Sequence, residues 1–271
     1  MSGFLRWPPL RKRPRPVPIV LFMGLLSLSF LLPQFTLLSS QRLESTSDVE
    51  STILLPKPPT GATERLLPTP ILLVGMPKTG TTSIHAFFKR SGYRSSHYKC
   101  INDLLCGLCI KVAIEKGKPP LKSCGDYEVW AQMDVENLGQ CYFPQIQNLD
   151  ILHQEAPNAT FILSHRNMTR WARSVENWVG RIRSMAARLA KCKGGPKSKN
   201  AEDLIQWHLE HIERIRTFVK DHPSHKLVEI NIEDPNAGEI MARHFGSSAL
   251  NWAHENDSLN TTASKLKLPP T

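Results

Sequence analysis

The chain has 271 residues, 41% hydrophobic and 21% charged, which excludes a disordered, collagen-like or multi-span membrane protein and suits one α/β domain plus a tail. Its 34 basic residues outnumber 24 acidic ones, a formal +10. Arg6, Arg11, Lys12, Arg13 and Arg15 all precede the first acid, Glu44, and without them the balance is 29 to 24, so no nucleic-acid partner is expected.

Residues 1–16 read as a basic cytosolic tail and residues 17–38 as a transmembrane signal anchor. No charge interrupts Val17 to Leu38, and these 22 residues are enough for a hydrocarbon core of roughly 30 Å. Positive charges before the span, with only Arg42 closely after it, predict a type II orientation with everything after Leu38 in the lumen. A cleaved signal peptide is the competing reading, against which Ser39-Ser40-Gln41 is a poor exit. Residues 39–69, rich in Ser, Thr and Pro, read as a stalk, and residues 70–271 as the lumenal domain.

In an oxidising lumen Cys100, Cys106, Cys109, Cys124, Cys141 and Cys192 are expected to form disulfides, with the pairing open among 15 possibilities. Five of them between residues 100 and 141 suggest a locally stapled insertion. Cys106-Gly-Leu-Cys109 also has the spacing of a redox pair or half a zinc site, but zinc needs a second ligand pair and none is evident, so no metal is expected. Asn158, Asn167, Asn256 and Asn260 open glycosylation triplets, the last two in a polar tail.

From Pro70 on, strand and helix patterns alternate. Ile71 to Val74 is an apolar strand, followed by a turn and a helix from Ser83 to Arg90 with Ile84, Phe87 and Phe88 at helical spacing. Tyr127 to Met133 reads as a second strand, Pro144 to Glu155 as a helix, Thr160 to His165 as a third strand and Thr169 to Leu189 as one long helix. Asn200 caps a further helix whose apolar face carries Leu204, Leu209, Ile212, Ile215 and Val219. Lys226 to Ile232 is a late strand and Ala237 to Phe245 the last helix. Strands separated by helices predict an α/β fold with a parallel sheet flanked by helices.

The strongest motif is Gly75-Met-Pro77-Lys78-Thr79-Gly80-Thr81-Thr82-Ser83, between a buried strand and a helix. Backbone amides and the positive helix end there cradle a phosphate, with the hydroxyls as further donors. In GxxxxGK[ST] the Lys follows the second Gly, whereas here Thr81 does, which disfavours ATP hydrolysis. Farther on, Thr160 to His165 ends in Arg166, and Ser174 follows eight residues later, a guanidinium fork and a hydroxyl suited to a dianionic phosphate.

The Pro-Lys-Thr-Gly-Thr-Thr string and the Arg166 to Ser174 spacing resemble the donor site of the sulfotransferase family, over roughly residues 70 to 250. The resemblance implies a P-loop-like fold and transfer of a sulfuryl group from 3′-phosphoadenosine 5′-phosphosulfate (PAPS) without a metal. It implies that Pro77, Lys78, Thr79, Gly80, Thr81, Thr82 and Ser83 hold the 5′-phosphosulfate, Arg166 and Ser174 the 3′-phosphate, with Lys78 at the bridging oxygen. Met168 departs from the family, which often has Pro there. With the anchor and stalk, the resemblance implies a Golgi enzyme acting on a carbohydrate or secreted glycoprotein.

For the base, Asp134 at the end of the second strand comes first and His97 second, with Glu128 and His153 behind them. Each has a bland counterpart as a cap or surface side chain. Arg181, Arg183, Arg188, Lys191, Lys193, Lys197 and Lys199, with no acid among them, read either as a solvated surface or as a site for an anionic glycan. Trp252 with His254 reads as a glycan contact or as a cap on the core. A catalytically inactive binding protein of the same fold and a small-molecule P-loop kinase are the alternatives; the first would have lost Lys78, and the second lacks GK[ST].

Overall fold

The computed structural model describes residues 65–136, 140–178 and 184–255. The chain divides into a unit of residues 1–60 and one of residues 61–271, and all described residues belong to the second. The predicted anchor and most of the stalk, Arg181, Arg183, Asn256 and Asn260 lie outside the described residues. Among those described, no helix is long and apolar enough to cross a membrane.

The elements run β1 (Ile71–Leu73), α1 (Thr81–Arg90), β2 (Ser95–Ser96), α2 (Cys106–Glu115), β3 (Val129–Trp130), α3 (Pro144–Gln147), α4 (Leu149–Glu155), β4 (Thr160–His165), α5 (Met168–Asn177), α6 (Met185–Leu189), α7 (Ala201–Asp221), β5 (Lys226–Asn231) and α8 (Ala237–Phe245). The five strands form one parallel sheet in the order β2-β3-β1-β4-β5. Side chains alternate across it. Ile71, Leu73, Ile162 and Val228 pack with Ile84, Phe87 and Phe88 of α1 and Met241 of α8. On the other face Leu72, Val74, Phe161 and Leu163 pack with Ile110 of α2, Leu152 of α4 and Ile215 of α7. Burying both faces is what lets all-parallel strands be continuously apolar.

Caps fix the helix starts. Asn167 and Asn200 accept hydrogen bonds from the amides of Arg170 and Asp203, opening α5 and α7. Gly246, at φ 62°, closes α8.

The sequence expectations hold for the sheet class, β4, α8 and the Asn200 cap, and to within two residues for β1, α1 and β5, but need correction at four places. The second strand shrinks to Val129–Trp130. The Pro144 to Glu155 helix breaks at Asn148, at φ −141°, whose side chain accepts from the Tyr142 hydroxyl. The single Thr169 to Leu189 helix is two, because Trp178 leaves α5 in an extended conformation (ψ 94°) and Ser184 caps α6 afresh. On α7, Leu209 is 42% exposed, while His208 and His211 are buried in its place.

The disulfides are Cys100–Cys106, Cys109–Cys124 and Cys141–Cys192. Cys106 and Cys109 bridge to different partners, so they do not form a redox pair. Between them Gly107 lets α2 lie against the β3 exit, since a Cβ there would meet the Met133 carbonyl oxygen and the Asp134 carbonyl carbon at 2.9 Å.

Candidate active site

Parallel strands deliver all their carboxyl ends to one edge, where α/β sheets bind ligands. Here β1 delivers the Lys78 loop, β2 delivers His97, β3 delivers Asp134 and Glu136, and β4 delivers Arg166.

The loop after β1 is held by backbone geometry and internal hydrogen bonds. Lys78 lies at φ 69° and Gly80 at φ 83°. A Cβ on Gly80 would meet Ile232 at 2.8 Å, so Gly is required by both conformation and space. Lys78 carries the cost of a left-handed backbone, about 1–2 kcal/mol. Thr79 donates its hydroxyl hydrogen to the Met76 carbonyl at 2.6 Å and therefore accepts from Ser164 at 2.7 Å. Its side chain is spent inside the loop. Ser83 is likewise turned inward, accepting from the Glu255 amide at 2.9 Å, so of the predicted hydroxyls Thr81 and Thr82 face the site. Pro77 is buried, and its carbonyl accepts from the Trp171 indole at 2.9 Å. That bond ties the loop to α5, the helix that carries Ser174.

His97 Nε2 lies 3.2 Å from Thr81 Oγ1 and 3.5 Å from Thr82 Oγ1. Burial, then the neighbouring His85, push its pKa down to about 4, so the imidazole is neutral. The Lys78 ammonium sits 3.5 Å above the ring centre of Trp178, which is 49% exposed. Burial and then Arg166 lower the Lys78 pKa, and Glu136 opposes them. Glu136 itself is paired with Arg188 at 3.0 Å.

Arg166 does not stand open. Its Nε and Nη2 donate to Glu233 at 2.9 and 2.6 Å. Ser174 is half-buried and makes no side-chain hydrogen bond among the described residues. Trp178, Glu136 and Glu233 were not among the residues the sequence singled out for this site, and Arg188 only as part of the basic run. Each acts through a contact far along the chain, for which a sequence carries no local signal.

Asp134 is buried and receives hydrogen bonds from Gln132 and Gln145 at 3.2 and 3.4 Å. Burial, partly offset by these amides, raises its pKa from 3.8 to about 6. Between those pH values the native chain holds a proton that the unfolded chain has released, so stability falls as pH rises from 4 to 7. This group accounts for about 3 kcal/mol of that fall. Asp134→Asn removes the dependence. Urea unfolding of both proteins at pH 4, 5, 6 and 7 checks it, and a constant difference between them would refute the assignment.

Two other candidate bases are displaced. Glu128 precedes β3 at the opposite edge, where it binds Arg65 and the Arg94 amide. His153 packs against His225, which donates to or accepts from it at 2.9 Å and precedes β5 at that same edge. Trp252 packs edge-on against Phe87, as a cap on the core. Among the described residues no group of three or more His, Cys, Asp or Glu is arranged to hold a metal.

The segment Ala190 to Lys199 forms a basic wall beside this edge. The Cys141–Cys192 bridge, a Gln147 bond to the Lys193 carbonyl and a Trp207 bond to the Gly194 carbonyl hold it in place. An open cavity of about 540 Å³ is lined by Ser184, Ala187, Ala190, Lys191 and Lys199.

No curated protein matches the chain. The family model described as "Sulfotransferase domain" matches residues 70–238, from the residue before β1 into α8, and so takes in the Lys78 loop, Asp134, Arg166 and Ser174. With more than half its length inside that match, the chain belongs to the sulfotransferase family and is a sulfotransferase enzyme.

Proposed function

We propose that the chain transfers a sulfuryl group from PAPS to a hydroxyl of a carbohydrate, alone or on a secreted glycoprotein, with its catalytic domain in the Golgi lumen behind a single type II anchor. The observation that carries the donor assignment is the Trp171–Pro77 hydrogen bond. It holds the two phosphate-binding elements, the Lys78 loop and α5, in fixed relation at one sheet edge. The site also contains a stand-in anion, since the Glu233 carboxylate occupies Arg166.

The donor supplies the activated sulfuryl group, and the residues supply charge and position. Amides of the loop from Pro77 to Gly80 and the hydroxyls of Thr81 and Thr82 hold the 5′-phosphate at the start of α1. Arg166 and Ser174 hold the 3′-phosphate. The Lys78 ammonium stabilises the negative charge that grows on the bridging oxygen as the S–O bond breaks. Asp134 takes the proton from the acceptor hydroxyl, its pKa of about 6 suiting a base near neutral pH. His97 orients Thr81 and Thr82. The acceptor reading rests on the anchor and stalk of the sequence and on the lysine wall. Lys191, Lys193, Lys197 and Lys199 form no ion pair among the described residues, and their charge suits a carbohydrate bearing acidic groups.

Thermal shift of the full chain tests the donor assignment. The nucleotide product, 3′-phosphoadenosine 5′-phosphate, is expected to stabilise the fold by mass action, with ADP and ATP giving little effect. Equal shifts with all three, or none with the 3′-phosphorylated nucleotide, would sink it.

A further inference from the structure

The anion pocket at Arg166 is already filled by the protein's own Glu233, two residues beyond β5. Its Oε1 accepts from Arg166 Nε at 2.9 Å and Nη2 at 2.6 Å, with Arg170 Nη1 at 3.7 Å. Its Oε2 accepts from the Asn167 amide at 3.1 Å. Asn167 is the N-cap of the ten-residue helix α5, so the carboxylate also meets the positive helix end. Two guanidinium groups and a helix-start amide are the partners a phosphate takes. Burial favours the neutral acid, but the Asn167 amide and Arg166 outweigh it and hold the Glu233 pKa below its ordinary value. At neutral pH the pocket therefore holds a full negative charge.

A dianionic phosphate cannot share those donors with a carboxylate in contact, because like charges at that separation repel strongly in a partly desolvated site. Resting on the donor-site reading above, we propose that Glu233 is an internal competitor for the 3′-phosphate. It occupies Arg166 in the free enzyme, is displaced when the bisphosphate nucleotide binds, and returns as that nucleotide leaves. It sets donor and product affinity by the fraction of time it vacates the pocket. The Arg166 to Glu233 link spans 67 residues, and Glu233 sits on the β5 exit beside Ile232, which packs on Gly80. The displaced carboxylate thus moves on a segment that also touches the 5′-phosphate loop.

Titration calorimetry of the full-length protein decides this, with 3′-phosphoadenosine 5′-phosphate and 5′-AMP against wild type, Glu233→Gln, Glu233→Ala and Arg166→Ala. Glu233→Gln keeps the shape and removes the charge; Glu233→Ala gives the answer if the amide variant fails to fold. The expected result is about tenfold tighter binding of the bisphosphate by both Glu233 variants, with 5′-AMP affinity altered by less than about twofold. A merely structural Glu233 would not move the two nucleotides apart in this sense. If wild type binds the bisphosphate, Arg166→Ala does not, and the Glu233 variants bind it no better or worse, Glu233 is only an orienting partner of Arg166 and the proposal is overturned while the donor site stands. If no variant prefers the bisphosphate to 5′-AMP, the donor-site reading itself falls, and the proposal with it.

Discussion

Replacing Lys78 with Ala is expected to lower kcat for sulfuryl transfer by about 10²–10³-fold, while affinity for 3′-phosphoadenosine 5′-phosphate changes by less than about tenfold. The asymmetry follows from where the charge acts. An ammonium at the bridging oxygen meets little charge in the ground state and more as the S–O bond breaks, so its loss appears in the rate and not in binding. In the free protein Lys78 has a left-handed backbone, φ 69°, and its ammonium rests 3.5 Å from the Trp178 ring centre. Partial burial has already removed much of its water, which strengthens its field on the reacting atoms. Single-turnover rates with saturating PAPS measure the effect. A variant within tenfold of wild type would remove Lys78 from the chemistry.

The second large effect concerns Trp171, which joins stability to the site. Trp171 is fully buried among Met76, Val175 and Leu189 and donates to the Pro77 carbonyl. Trp171→Ala is expected to cost about 3–5 kcal/mol through the cavity it leaves. Trp171→Phe keeps most of the volume but strands that carbonyl, at about 1–3 kcal/mol. Both variants are expected to lose most of the stabilisation by 3′-phosphoadenosine 5′-phosphate, because the Lys78 loop and α5 are no longer tied. Urea unfolding with and without the nucleotide reads both quantities. A Trp171→Phe protein with wild-type stability and an unchanged nucleotide effect would show that the hydrogen bond holds nothing.

What was legible in the sequence was local. Thr160 to His165 is a six-residue buried strand and reads as one, and the loop motif is contiguous, so its place before α1 follows from the chain order. The β2 strand was not legible: Ser95–Ser96 are two polar residues whose only strand signal is their pairing with Val129 and Trp130. The α7 stripe was misjudged at Leu209 because hydrophobicity is not the whole criterion for burial. His211 lies inward because its Nε2 meets the Val74 carbonyl at the end of β1, 2.6 Å away, a requirement set by the sheet and invisible in the helix's own residues. Likewise α5 stops at Asn177, and the next residue, the extended Trp178, meets the ammonium of Lys78, a hundred residues earlier in sequence. Lys78, Arg166 and Ser174 sit in motifs whose resemblance to the sulfotransferase family singles them out, whereas Glu233 carries no such signal, since only the fold brings the β5 exit onto Arg166.

The strand order has a consequence for how the protein is made. The first of the described strands to be synthesised, Ile71–Leu73, is the middle of the sheet, and its partner β4 begins only at Thr160. At about 5–20 residues per second, ribosomal synthesis leaves roughly 4–17 s between Leu73 and Thr160. Through that interval the emerging chain carries three fully apolar residues with both rows of amides and carbonyls bare until Val129 and one row bare thereafter, the condition under which strands find wrong partners. The centre of the finished domain is thus its most vulnerable part at birth, and a holding chaperone has most to do before residue 160 appears.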